Sequence, residues 1–423
     1  FQLRFIASDG ASFDAEVSAF TLVFGYTLIH SLNHPTPGQN DNFGYAADID
    51  GNYAVITAWQ DRSVGDNKAQ SGTAYIFNVT TGALVHTLLN PNAYGTSQLD
   101  QFGNSASISG NYAIVGAFTE DDGPHPTNPT VFPYGNNSGK AYIFNVTTGA
   151  LVHTLNNPNA FGTTQNDQFG TAVAISGNYA IFGCPDEDDT TNNSAGKAYI
   201  FNVTTGALQF TLNDPNYYGT SVNDYFGHSV AIDGSYAVVG AIGERNSENH
   251  LSGAAHIYNV TTGAKFRTLP NPNSVLGGNG DQFGFSVAIS GTNVIVGAPY
   301  EDDVNGVDTN SGKAYIFNVY GTLLHTLNNP NAYGTNQSDY FGYSVAISGS
   351  YAMVGVYAED DAGGTTSGKV YVYNITTGAL IKTIDNPNAR GVSGGDYFGR
   401  TLAMSGNDVI IGAPYETSEP PTS

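Results

Sequence analysis

The pair Phe-Gly, two residues after an aspartate, occurs seven times, at Phe43, Phe102, Phe169, Phe226, Phe283, Phe341 and Phe398; the aspartates are Asp41, Asp100, Asp167, Asp224, Asp281, Asp339 and Asp396. A unit repeated at this period cannot bury its apolar face alone, so the copies must stack or close on one another. The spacing of about sixty residues fits one four-stranded propeller blade, somewhat above the roughly 40–50 of other blade families. Within a unit the strand signals follow a fixed order. In the sixth, Ser344-Val345-Ala346-Ile347-Ser348, a Gly349-Ser350 turn and Tyr351-Ala352-Met353-Val354-Gly355 make one hairpin. Lys369-Val370-Tyr371-Val372-Tyr373, a Thr376-Thr377-Gly378 turn and Ala379 to Ile384 make the next. Glycine after a polar pair supplies the left-handed backbone such turns need. The first three strands are apolar on both faces, as expected of sheets sandwiched between neighbours.

The two chain ends complement one another. The seventh unit supplies two strand signals, Leu402-Ala403-Met404 and Val409 to Gly412, while Phe20 to Leu32 matches the third and fourth strands of the fifth unit, Ala314 to Leu327. The expected fold is all-β: a seven-bladed β-propeller of four-stranded antiparallel blades, closed by a two-plus-two blade from the N- and C-terminal ends, which leaves no open edge. Residues 1–18 then read as a lead-in, 19–415 as the propeller and 416–423 as a Pro/Ser/Thr linker-like tail.

The successive patterns Asp-x-Phe-Gly-x-Ser-Val-Ala-Ile-Ser-Gly, Val-Gly-Ala-Pro-x-Glu-Asp-Asp and Ser-Gly-Lys-Ala-Tyr-Ile-Phe resemble the FG-GAP repeat family, known from integrin α-subunit propellers and similar repeats in marine microbial surface proteins and phage virion proteins. The resemblance implies a propeller used for binding at an extracellular, cell or virion surface. Integrin-type repeats carry an Asp-rich calcium loop in the first hairpin. Here that turn is Ser109-Gly110-Asn111 or Asp233-Gly234-Ser235, so that site does not carry over.

Charge limits the partners. With 36 acidic against 13 basic residues the net charge is −23, which disfavours nucleic acid and anionic lipid. No stretch of eighteen apolar residues occurs, so membrane insertion is not expected, and the opening residues show no charged-then-apolar leader. The partner is expected to be a protein or glycan on a cell or virion surface, within what could be a larger assembly. An enzyme is not expected, because repeated carboxylates offer no single asymmetric pocket in which two pKa values are driven apart. The alternatives are a glycan-binding propeller and a purely architectural subunit of a phage tail, fibre or cell-surface assembly.

Candidate sites fall on the long connections. Clustered carboxylates at Asp121 and Asp122, Asp188 and Asp189, Asp302 and Asp303, and Asp360 and Asp361 suggest calcium, the one cofactor the chain hints at, or solvated loops tied to Lys140, Lys197, Lys313 and Lys369. The Asn-Pro-Asn-Ala loops place Tyr94, Phe161, Tyr218 and Tyr333, with Arg390 at the matching position, where they could contact a partner or cover their own blade edges. The insert Gly123 to Asn137 breaks the symmetry, and its Pro124, Phe132 and Tyr134 are the preferred contacts. Asn78, Asn145, Asn202, Asn259 and Asn374 begin Asn-Val/Ile-Thr, a turn sequence that is also a glycosylation acceptor. His30, His86, His153 and His325 recur on separate blades, too far apart to share a metal, and the single Cys184 replaces a repeat alanine, as a small buried side chain would.

Overall fold

The computed structural model describes residues 2–6, 27–36, 41–61, 71–91, 100–120, 137–158, 166–188, 194–215, 222–273, 280–302, 310–330, 338–360, 366–387 and 395–415. Every regular element among them is a strand, and no helix among the described residues is long and apolar enough to cross a membrane. Six blades are four-stranded antiparallel sheets whose strands lie in chain order. Blade 1 consists of Phe43–Asp50, Tyr53–Ala58, Thr73–Asn78 and Leu84–Leu89. Blades 2 to 6 repeat it over residues 106–156, 172–213, 226–270, 286–328 and 344–385.

A seventh sheet closes the ring in a way that differs from the sequence expectation. Its antiparallel part is the pair Thr401–Ser405 and Asp408–Gly412. The third place is taken by Gln2–Ile6, read from sequence as lead-in, and the fourth by Thr27–Leu32. Gln2–Ile6 runs parallel both to Asp408–Gly412 and to Thr27–Leu32, so this blade is mixed, not antiparallel throughout. Residues 20–26, expected in the third place, lie outside the described residues. The physical reason is that the edge of Asp408–Gly412 requires only an extended backbone beside it. A parallel pair needs a connection of roughly a dozen residues or more, which residues 7–26 supply.

The core lies between blades, not within them. Phe283, at the start of blade 5, packs with Val238 and Ile257 of blade 4 and with Val296 and Tyr315 of its own blade. All seven repeat phenylalanines are at most 1% exposed. Two further glycines, each present in six of the seven units, explain the rest of the motif. At Gly297 a Cβ atom would lie 2.0 Å from the carbonyl oxygen of Gly342 in the next blade, so only glycine admits that approach. Gly312, at φ +80°, faces the Phe341 carbonyl, 2.2 Å from where its Cβ would be. Beside it the Phe341 N–H donates to the Ser311 carbonyl at 3.0 Å. The recurring Phe-Gly is thus the joint at which one blade seats on the previous one. At the closing blade the same contact, Gly412 against the Gly44 carbonyl, completes the circle.

Latches outside and inside the ring reinforce the joints. His86 Nε2 meets the Thr147 carbonyl of the next blade at 2.9 Å, and His30, His153 and His325 do the same to Thr80, Thr204 and Thr376. These histidines hold the outer strand of one blade to the short turn of the next. On the inside, Asp50 Oδ2 and Asp233 Oδ2 each accept the N–H of the next blade's turn glycine at 2.7 Å.

Candidate functional site

All short hairpin turns lie on one face of the ring, since Val79 donates to Asn52 and the equivalent pairs recur in later blades. The long connections, between second and third strands and between blades, leave from the other face. The acidic sequences sit there, and their first carboxylate is committed to the fold. Glu301 is 1% exposed and accepts from the Tyr315 hydroxyl at 2.7 and 2.9 Å and from Lys313 Nζ at 2.7 Å. Glu120 with Lys140 and Tyr142, Glu187 with Lys197 and Tyr199, and Glu359 with Lys369 and Tyr371 repeat this arrangement. Burial, then the adjacent carboxylate, pushes the tyrosine hydroxyls far above their usual range, so they remain donors. Asp188 and Asp302 accept the N–H of Ser194 and Asn310 across their loops, and Asp360 pairs by backbone with Thr366. Asp121, Asp122, Asp189, Asp303 and Asp361 lie outside the described residues, as do Tyr94, Pro124, Phe132, Tyr134, Phe161, Tyr218, Tyr333 and Arg390.

The other repeated polar residues also have structural duties. Asn329 Nδ2 donates to Asp339 Oδ2 at 2.9 Å, clamping the loop that ends in Phe341, and Asn90, Asn157, Asn271 and Asn386 clamp Asp100, Asp167, Asp281 and Asp396. Asn78 Oδ1 accepts the N–H groups of Thr80 and Thr81 at 3.0 and 2.9 Å, and Asn145, Asn202, Asn259 and Asn374 cap their turns alike. Cys184 is buried, and its thiol, held well above its usual pKa by burial, donates to the Asp167 carbonyl.

Two joints depart from this pattern. In blade 1, Thr73 stands in the lysine position and Asp61 in that of the glutamate, while His34 replaces the clamping asparagine. The Tyr75 hydroxyl donates to Asp61 Oδ2 at 2.7 Å. In blade 4, Ala254 stands for the lysine, His256 for the tyrosine and Asp214 for the asparagine. His256 Nε2 lies 2.6 Å from Glu244 Oε2, and its Nδ1 lies 3.1 Å from Thr268 Oγ1. Burial, then the hydrogen bond with Asp214, pushes the Asp224 carboxyl up to about 9.

The axial channel is lined by the first strands and encloses about 400 Å³. Asp48 projects among these strands and accepts from Ser107 Oγ at 2.7 Å and from the Ile108 N–H at 2.9 Å. Burial outweighs these donors and raises its pKa to about 6.

At the long-loop mouth of this channel the residue after each Phe-Gly forms a ring of Tyr45, Asn104, Thr171, His228, Phe285, Tyr343 and Arg400. The ring is one-sided. His228 meets Phe285 at 5.0 Å, Phe285 meets Tyr343 at 4.8 Å, and Arg400 sits over Tyr343 and Tyr45 at 5.3 and 4.7 Å. Burial holds the His228 imidazole down at about 4, so it is neutral near pH 7. An outer tier continues the surface, with Tyr340 stacked on Tyr357 at 5.5 Å, Tyr357 against Tyr397 at 5.1 Å and Trp59 against Tyr45 at 5.2 Å. Tyr340 and Tyr397 fill the variable position of Asp-x-Phe-Gly, where all seven residues have φ between 53° and 61°. Such a left-handed residue costs roughly 1–2 kcal/mol and is held by the buried residues on either side. The arc thus runs from blade 4 round to blade 1, while blades 2 and 3 present Asn104 and Thr171. None of its residues was singled out by the sequence reading. The signal available was a column of the aligned units in which aromatics occur in some copies only.

The family model described as the FG-GAP repeat matches seven segments of the chain, residues 37–77, 93–144, 160–201, 219–258, 277–317, 331–373 and 388–421. No curated protein matches the chain.

Proposed function

The chain belongs to the FG-GAP repeat family, whose propellers are often binding modules, and we propose that it is a non-enzymatic attachment module that engages a partner at the long-loop mouth of its channel. The observation that carries this reading is the one-sided aromatic arc. A ring needed for packing would recur in every blade, as the seven joint phenylalanines do, whereas Tyr45, Phe285, Tyr343 and Arg400 occupy a position that Asn104 and Thr171 fill elsewhere. Half-exposed tyrosines combine flat apolar faces with hydroxyl edges, a chemistry suited to a partner that is apolar in patches and polar at its rim. Gln101, Gln168 and Gln282, half-buried at the variable position of Asp-x-Phe-Gly, add amide donors and acceptors near the same mouth.

Binding, not catalysis, also fits the carboxylates, because those repeated in each blade are committed to tyrosine, lysine and asparagine partners. An extracellular, cell-surface or virion location accords with the acidic surface, with a protein or glycan as the partner.

The single tryptophan, Trp59, lies in the arc and serves as the reporter. Titration with a glycan panel and with candidate surface proteins should change its emission, and Tyr343→Ala or Tyr357→Ala should weaken binding at least tenfold. Thr147→Ala/Thr148→Ala, on the opposite face, should leave binding unchanged. Loss of binding in the Thr147/Thr148 variant with retention in the tyrosine variants would refute the proposal.

A further inference from the structure

The joints act as controls for one another, and blade 4, like blade 1, departs from its siblings at three interacting positions. In blades 2, 3, 5 and 6 a buried glutamate, the Asp of Asp-x-Phe-Gly and a lysine meet, giving two carboxylates against one ammonium. In blade 4, Ala241 pairs with Ala254 where Ala298 pairs with Lys313, so the ammonium is lost from that register. At the same joint Asp214 adds a carboxylate where blades 2, 3, 5 and 6 have a neutral asparagine. Three carboxylates, Asp214, Asp224 and Glu244, then face one imidazole. The neighbouring Arg245 turns its guanidinium to the Asn249 carbonyl.

We propose that this joint is a binding site for a divalent first-row transition metal such as Zn²⁺, held by His256 Nε2 and by the carboxylates of Glu244 and Asp214, with Asp224 behind Asp214. The three ligand atoms already lie within 4.8 Å of one another. Zinc bonds of about 2.0–2.2 Å place ligand atoms roughly 3–4 Å apart, so only a small adjustment is required. His256 is also oriented as a metal-bound histidine is. Its Nδ1 faces Thr268 Oγ1, which already accepts from Lys265 Nζ at 3.4 Å and has a further lone pair for an Nδ1–H. With an Nδ1–H donated to Thr268, Nε2 faces the carboxylates as the nitrogen of a metal-bound imidazole does. A lone pair 2.6 Å from a carboxylate oxygen needs a cation or a proton between them; in the sibling blades the tyrosine hydroxyl supplies that proton.

The donor set selects the metal. One imidazole with carboxylates suits zinc, cobalt or manganese, whereas calcium takes six to eight oxygens. Blade 1 provides the contrast. His34, Asp41 and Asp61 also lie close together, but His34 Nδ1 accepts the Thr36 N–H at 3.2 Å. That leaves the proton on Nε2, which points at Asp61 Oδ2 at 3.4 Å and satisfies the pair without a metal.

The test is titration of the chelator-treated full chain with Co²⁺, followed by its visible ligand-field absorption, and with Zn²⁺, followed by calorimetry and melting. The expected result is one equivalent bound, with a melting temperature that rises with free metal. The triple variant Asp214→Asn/Ala254→Lys/His256→Tyr gives blade 4 the residues of blade 5. It should stay folded without metal and lose the cobalt absorption. Should that variant fail to fold, His256→Gln with an unchanged circular dichroism spectrum should bind at least tenfold more weakly. The proposal is overturned if the native chain shows no cobalt absorption and no zinc-dependent melting shift, if the triple variant or His256→Gln binds as tightly as the native chain, or if calcium binds there and zinc does not.

Discussion

Replacing Lys369 with methionine tests the claim that the acidic sequences hold the fold. Lys369 is 5% exposed, and its Nζ donates to Glu359 Oε1 at 3.0 Å and to the Asp360 carbonyl at 3.1 Å. Methionine keeps most of the stem's volume and removes the charge. Glu359, 0% exposed, is left with the Tyr371 hydroxyl at 2.6 and 2.8 Å and no cation. Removing one partner of a buried pair costs about 3–5 kcal/mol, because the desolvated charge stays behind. Adding Glu359→Gln removes the orphaned charge, and the double variant should recover roughly half or more of that loss.

The pH dependence has a definite sign. Burial already holds the Glu359 pKa above its ordinary value, against the opposing Tyr371 and Lys369 interactions, and loss of Lys369 raises it further. A carboxylate whose folded pKa exceeds its unfolded one costs stability once pH rises through that interval. Lys369→Met should therefore be least stable relative to the native chain at pH 7 and regain stability as pH falls toward the unfolded-state value. Denaturant melts of native, single and double variants at pH 7 and pH 5 make the cycle. A Lys369→Met loss below about 1 kcal/mol at pH 7, or no recovery in the double variant, would refute the reasoning.

Other outcomes follow from the joints and the channel. Gly297→Ala should cost more than about 3 kcal/mol or prevent folding, whereas Gly349→Ala, at φ +57° with nothing within 4 Å, should cost only about 1 kcal/mol; thermal melts of the two separate close approach from backbone strain. Asp48, with a folded pKa of about 6 against 3.8, should make the native chain lose roughly 1–3 kcal/mol as pH rises from 4 to 6, a slope that Asp48→Asn should flatten in melts across that range. His86→Ala removes the latch to Thr147 and should cost about 0.5–1.5 kcal/mol, with faster hydrogen exchange at the 145–150 turn and little change elsewhere.

The ring was legible in the sequence because each joint demands the same residues. Phe-Gly recurs in all seven units, and the glycine of Val-Gly-Ala and the glycine of Ser-Gly-Lys each in six, since they touch each other across blades and a repeated contact leaves repeated copies of its signature. The closing blade was legible only in part. An edge strand needs little beyond an extended backbone, so Gln2–Ile6 and Phe20 to Gly25 both qualify on propensity, and neither sequence states its direction. The acidic sequences were harder to read. Glu359 and Lys369 lie ten residues apart, and only the pairing of Val356 with Lys369 in the sheet brings the ammonium to the carboxylate. A calcium loop and a buried ion pair look alike until that register is known.

Departures from the repeat separate by whether they occur singly or together. In the outer latch, Phe210 and Arg267 replace histidine, and each packs on the glycine of the following turn, Gly263 and Gly321, while the rest of its joint keeps its place in the fold. A lone exchange that still covers the same glycine is a packing solution. Asp214, Ala254 and His256 change together at one joint, and their combined effect is to exchange an asparagine, a lysine and a tyrosine for a carboxylate and an imidazole whose ligand atoms lie beside Glu244. The mouth is different again. Tyr45, Phe285, Tyr343 and Arg400 touch one another, yet no joint requires them, because Asn104 and Thr171 occupy the same place without disturbing Phe102 or Phe169. Substitution there is free of the fold, so a run of aromatics bridged by Arg400 across adjacent blades reflects a demand from outside the ring, which is why the arc and not the acidic loops carries the functional reading.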